Sequence, residues 1–262
     1  MTLLDATART SAMGRINPVA KLGAAMLITV PLVLTLDVVS ATVALVLELL
    51  LMPFAGLSWR EFWRRTWLVW VLAPLTGLTI ALYGRTSGEI YVQWWAIVIS
   101  DGSLYLALAT TLRVLAIALP SVVLFASVDP TDLADGLAQI LKLPARFVLG
   151  ALAGLRMVGL FLDDWRSLEL ARRARGVADR GRLRRFFGMA FALLVLSIRR
   201  GAKLATAMEA RGFGSDQPRT WARTSVFAGR EWALMAVGLA IAVVAVAAAV
   251  ATGAWNFILG PE

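Results

Sequence analysis

The chain has 262 residues, 59% of them hydrophobic, and a mean hydropathy of +0.75; soluble domains are closer to half apolar, so this composition defines an integral membrane protein. It contains neither cysteine nor histidine, which excludes disulfides, thiol nucleophiles, zinc sites built on those residues and imidazole bases. The net charge of +9 is concentrated: residues 166–230 carry 15 Arg and Lys against 4 Asp and Glu, leaving 11 against 13 elsewhere.

Met1–Arg15 has charges but no adjoining apolar core with a cleavage site, so no cleaved signal peptide is expected. Leu22–Val39 is a first apolar run long enough to cross a bilayer, whose core takes about 20 helical residues and tolerates about 17. It contains Pro31, with Asp37 near its end. Ala41–Leu57, carrying Glu48, is a second run, and the short join around Ser40 makes the two an antiparallel pair. Ser58–Thr66 is a polar stretch with Arg60, Arg64 and Arg65. Trp67–Tyr83 is a third span, opening on Trp67 and Trp70 where interfacial tryptophan is favoured. Gly84–Ser103 reads as a loop whose apolar patch, including Trp94 and Trp95, lies in the interface. Leu104–Val128, with Arg113 and Pro120, is a fourth span, and Trp232–Phe257 is the last.

Between these last two the pattern changes. Asp129-Pro130-Thr131-Asp132 is a helix start, with proline at the first position and acids in the first turn, and Leu133–Leu141 continues it as a short amphipathic helix. Phe147–Leu162, with Arg156 inside it, and Phe186–Ile198 are apolar runs of only 16 and 13 residues. Such lengths suit interfacial or buried helices better than spans. Were both to span, residues 166–185, with eight basic and two acidic groups, would lie outside, against the positive-inside rule. Asp129–Arg230 is therefore expected on the cytoplasmic face as long helices against or partly within the membrane. Arg9, Arg15, Lys21, Arg60, Arg64 and Arg65 then also face the cytoplasm, Arg85 alone faces outward between spans three and four, and the C-terminus lies outside. The expected organisation is thus residues 1–128 as N-terminal transmembrane helices, 129–230 as a cytoplasmic-side helical module, and 231–262 as a C-terminal span; Gly214–Thr224 is a polar linker. The fold class is all-α, with about five transmembrane helices.

Within the basic block one pattern occurs twice. Leu168-x-x-Ala171-x-x-Ala174-Arg175-Gly176 is repeated as Leu204-x-x-Ala207-x-x-Ala210-Arg211-Gly212, offset by 36 residues. On a helix the leucine, the first alanine and the arginine of each copy share one face. Arginine before glycine also suits an ordinary helix end, where the cation complements the dipole and glycine takes the left-handed turn. The repetition with leucine and alanine in register points further, to two docking faces: small residues permit close approach and arginine offers a forked donor for carboxylates. The run from Arg180 to Arg185 is most simply solvated or headgroup-facing.

No phosphate-binding loop and no nucleophile elbow is present. Asp132-x-x-Asp135-Gly136 resembles the start of the metal-binding motif of membrane CDP-alcohol phosphatidyltransferases, but Gln139-Ile140 stands where Ala-Arg belongs, and Asp163 and Asp164 do not restore the register. That enzyme is one alternative reading, and the permease subunit of a conventional ABC importer is another. The charges Arg113, Arg156, Glu48 and Asp37 in or near apolar runs call for a partner, an interface or a role in function.

Taken together these residues resemble the transmembrane T component of energy-coupling factor (ECF) transporters, ABC importers of vitamins and metal ions. The likeness runs from Asn17-Pro18-Val19-Ala20-Lys21-Leu22, similar to the family's Asp-Pro-x-x-Lys-Leu, through Arg113, Asp129–Leu137 and Gly154-Leu155-Arg156 to both Ala-Arg-Gly motifs, the second within Ala207–Gly214. Asn17 stands where aspartate is usual, which bears on how the N-terminus is held, and the link from Gly176 to Arg200 is basic. The resemblance implies a non-catalytic subunit of a bacterial plasma membrane, with no cofactor and no nucleic acid. Two cytoplasmic ATPases would grip Ala174-Arg175-Gly176 and Ala210-Arg211-Gly212, supported by Leu168, Ala171, Leu204 and Ala207. Long coupling helices would carry their motion to a membrane-embedded substrate-binding S component.

Overall fold

The computed structural model describes residues 13–56, 58–84, 86–94, 97–125, 127–176, 181–213 and 220–257. Most of the N-terminal stretch Met1–Arg15 with Arg9, together with Arg85, Trp95, Arg180 and the start of the linker at Gly214, lies outside the described residues. The chain divides into two units, residues 1–136 with 225–262, and residues 137–224.

The first unit is a bundle of α1 (Pro18–Leu34), α2 (Val38–Leu51), α3 (Trp59–Tyr83), α4 (Asp101–Phe125) and α8 (Gly229–Ala251), with α5 (Pro130–Gln139) beginning at its edge. Asn17 starts α1: its Oδ1 accepts a hydrogen bond from the Val19 amide at 3.0 Å, and Pro18 at the first position has no N–H to satisfy. The helix ends at Leu34, five residues before the end of the run read from hydropathy. Asp37 is not near the end of a first span but caps α2, accepting from the Ser40 amide at 2.5 Å and the Ser40 hydroxyl at 2.8 Å. A short carboxylate that captures backbone N–H groups starts a new helix where an apolar average sees continuity. The turn is tied down by the amide of Leu36, which donates to the Asn256 carbonyl at 2.9 Å.

Ser58 likewise caps α3, its Oγ accepting from the Glu61 amide, and Glu61 pairs with Arg65 at 2.5 Å one turn on. The polar stretch Ser58–Thr66 is thus the opening of a 25-residue helix and not a connection outside it. Between α3 and α4 the expected interfacial loop is an antiparallel hairpin, β1 (Ile90–Trp94) with β2 (Ile97–Ser100), whose β-branched and aromatic residues suit a pleated ribbon. Tyr91 ties it to α4 by donating to Asp101 Oδ1 at 2.7 Å.

In the bundle α3 packs on α4, α1 on α8 and α4, and α2 on α4 and α8. Ile28, Leu32, Leu45, Phe62, Leu115, Leu119 and Ile241 form the core. Gly238 permits the α1–α8 approach: a Cβ there would lie 3.0 Å from the Ala24 carbonyl oxygen.

The second unit contains α6 (Ala145–Ala174) and α7 (Arg182–Ala210), helices of 30 and 29 residues. The short apolar runs 147–162 and 186–198 are therefore inner portions of much longer helices. By length and composition α3, α4, α6 and α8 are long and apolar enough to cross a membrane, and α1 and the 38–54 segment are shorter apolar helices. Sequence counting set the run in α6 aside; the full helix meets the length criterion because its basic end extends it. The protein is an all-α membrane protein.

Candidate functional site

Both copies of the duplicated motif fold into the same helix end. Arg175 closes α6 with its amide bonded to the Ala171 carbonyl, and the Gly176 amide donates to Arg173 at 3.0 Å with φ at +66°. Arg211 closes α7; the Gly212 amide donates to Glu209 at 2.9 Å and the Phe213 amide to Met208 at 2.9 Å, with φ +71° at Gly212. The second end is a complete Schellman cap, and a left-handed residue at this place is disfavoured for any side chain bearing Cβ. The surfaces match as well: Leu168 and Leu204 are half-buried, whereas Ala171, Ala174, Arg175, Gly176, Ala207, Ala210, Arg211 and Gly212 are exposed. Open space surrounds Gly176. Among the described residues neither the Arg175 nor the Arg211 guanidinium has an ion pair or hydrogen bond, although several arginines nearby are paired.

Two of those pairs, Arg185–Glu169 and Arg200–Asp164, fasten α6 to α7. Trp165 packs on Phe186 with ring centroids 5.7 Å apart. Glu169 accepts from Arg173 at 2.9 Å and from Arg185, and these bonds, Arg173's foremost, hold its carboxyl below the usual carboxylate range. The Arg172 guanidinium lies over Gly188, where a Cβ would come within 2.9 Å of it. Arg200 Nη2 donates to Asp164 Oδ1 at 2.9 Å, with Nη1 2.7 Å from Oδ2. Since Arg172 meets α7 at Gly188, Arg211 stands 23 residues further along that helix, on the order of 35 Å at 1.5 Å per residue. The two motif arginines are thus held at well-separated points on one pair of packed helices.

The other candidates take different places. Among the described residues Arg113 meets no carboxylate; its Nη1 donates to the Thr35 carbonyl at 3.0 Å, just past the end of α1. Arg156 is exposed on α6. Asp132 lies in the first turn of α5, within electrostatic reach of Lys21. Among the described residues no group of three acidic side chains converges in a way that suits a metal ion.

One cluster escaped the reading of separate segments. Asn17 Nδ2 donates to Ser225 Oγ at 2.8 Å and to the Val226 carbonyl at 3.0 Å, while the Asn17 amide donates to Glu231 Oε1 at 3.2 Å. Lys21, fully buried, donates to Ser127 Oγ at 2.8 Å. A Cβ at Gly136 would lie 2.7 Å from Val19 Cγ2 and 3.1 Å from Asn17 Oδ1. The motif opening α1 and the motif of α5 therefore meet at one end of the bundle, beside the start of α8.

Fold and site define a multi-helix membrane chain that carries a pair of long helices with two matching arginine–glycine ends. Residues 9–221 match the family described as cobalt transport protein, CbiQ, and the chain belongs to that family. It is 33% identical over 167 residues to the energy-coupling factor transporter transmembrane protein EcfT of Limosilactobacillus fermentum, covering 58% of this chain and 61% of that one. With the protein of the same name from Bacillus selenitireducens it shares 28% identity over 246 residues, 88% and 91% of the two chains. With EcfT 1 of Listeria monocytogenes it shares 30% over 166 residues, 58% and 61%. The chain thus spans 61% of the first relative's length and 91% of the second's. These relatives place it with the T components of ECF transporters, as its motifs suggest.

Proposed function

We propose that this chain is the energy-coupling scaffold of an ATP-driven importer in a bacterial plasma membrane. It performs no chemistry itself. Two cytoplasmic ATPases dock on the ends at Ala174-Arg175-Gly176 and Ala210-Arg211-Gly212, and their approach and separation during ATP turnover displaces the ends of α6 and α7. The two long helices transmit that displacement to a membrane-embedded S component, which binds the vitamin or metal ion and releases it inside.

The observation that carries the reading is the duplicated helix end. Each copy combines an exposed guanidinium, a glycine-closed cap and a row of small residues. That combination offers close approach with a charge-assisted bond to an acidic groove. Spacing on the order of 35 Å along a rigid helix suits two separate subunits better than one ligand. Changing Arg175 and Arg211 together to glutamate should release both ATPases from detergent-solubilised complexes and stop uptake, while the chain stays folded in the membrane. Unchanged ATPase retention and uptake would refute the proposal.

A further inference from the structure

The chain passes between its two units twice, after Gly136 and after Thr224, and both passages run by the side chain of Asn17. On the outgoing one, α5 brings Gly136 so close to α1 that a Cβ there would lie 3.1 Å from Asn17 Oδ1 and 3.6 Å from Ser225 Oγ. On the returning one, Asn17 Nδ2 donates to Ser225 Oγ at 2.8 Å and to the Val226 carbonyl at 3.0 Å. The two passages are joined again three residues past Gly136, where Gln139 Nε2 donates to the Arg223 carbonyl at 2.8 Å.

Asn17 is itself fixed to the membrane helices. Its Oδ1 caps α1 through the Val19 amide, and its backbone N–H donates to Glu231 Oε1 in the first turn of α8. Residues 224–228, by contrast, are neither helix nor strand. Each residue of such a link has two soft backbone dihedrals, so an unbraced link absorbs a displacement that a braced one passes on. The bonds from Asn17 supply the brace. We infer that Asn17 is a positioning residue of the coupling cycle: it clasps both connections to the second unit onto the start of α1, and displacement of α6 and α7 enters the membrane helices there. This rests on the docking of ATPases proposed above and adds where their motion arrives.

The test uses the complex solubilised with its bound ATPases into lipid nanodiscs, and follows amide hydrogen exchange with and without ATP. In the parent, ATP should alter exchange at the ends of α6 and α7 and also across residues 18–24 and 229–236. In Asn17→Leu the ATPases should stay bound and the ends of α6 and α7 should still respond. The response at the starts of α1 and α8 should fall on the order of tenfold or more, as the loss of two hydrogen bonds warrants. Should that variant fail to fold, Ser225→Ala, which leaves the cap on α1 intact, should lower the same response several-fold. An undiminished response in either folded variant overturns the inference, as does a parent whose α6 and α7 respond while its α1 and α8 do not. A parent whose α6 and α7 ends ignore ATP contradicts the docking reading itself, and this inference with it.

Discussion

Arg200 bonds to Asp164 across the two long helices at 2.9 Å, and the two residues are separated by 36 positions, the repeat distance of the motifs themselves. Each stands 11 residues before the arginine of its own Ala-Arg-Gly. Equivalent points of the two copies are therefore tied together, and both motif ends are referred to a common fixed contact. A displacement of either end acts on a braced pair of helices instead of a free arm.

The brace is testable by charge exchange. Asp164 is mostly buried and Arg200 about one-third exposed, so removing one partner strands a charge and should cost about 1–2 kcal/mol. Asp164→Ala or Arg200→Ala should lower the unfolding midpoint in detergent and reduce coupled uptake more than ATPase binding. The exchanged pair, Asp164→Arg with Arg200→Asp, should recover much of both. A double-mutant cycle with no interaction energy would show that the contact does not hold the helices.

Glycine at the two caps is required by backbone conformation. Gly176 and Gly212 have φ of +66° and +71°, where a Cβ costs about 1 kcal/mol or more. Gly212→Ala should fray the end of α7, and hydrogen exchange at the Phe213 amide should quicken because its bond to Met208 is lost. An unchanged exchange rate would mean that the cap tolerates a side chain there.

Asn17 is expected to be better at this position than aspartate would be. Its amide nitrogen donates to Ser225 and Val226, and Glu231 accepts from its backbone N–H. Aspartate would keep the cap on α1 but lose the donor to the Val226 carbonyl and add a carboxylate close to Glu231. Asn17→Asp should lower the melting temperature and Asn17→Ala should lower it further, by about 1–2 kcal/mol in stability. Thermal unfolding of the purified chain measures both; an aspartate variant as stable as the parent would remove this account of the position.

Much of this was legible in the sequence because the signals are local. Hydropathy located the membrane helices, Pro130 with Asp132 marked the start of α5, and the doubled Leu/Ala/Arg/Gly pattern marked the two caps. Side chains that compete with the hydropathy average shifted the boundaries. Asp37 moved the join between the first two helices back from Ser40 to the residues between Leu34 and Val38, and Ser58 drew a polar stretch into α3. The hairpin was missed because a short β-branched run at a membrane edge also reads as an interfacial patch. The meeting of Asn17, Gly136 and Ser225 depends on contacts across more than a hundred residues, which no window along the chain reports. The Asp164–Arg200 contact did leave a trace, since both residues lie in the register of the repeat.

The absence of cysteine from the chain allows the central claim to be tested with single labels. Cysteine introduced at Ala174 or at Ala210 should react with a membrane-impermeant maleimide in inside-out vesicles and not in right-side-out ones, and bound ATPases should protect both sites. Labelling of either position from the outer side, or equal labelling with and without the ATPases, would contradict the assignment of these helix ends as the sites where the motor subunits dock.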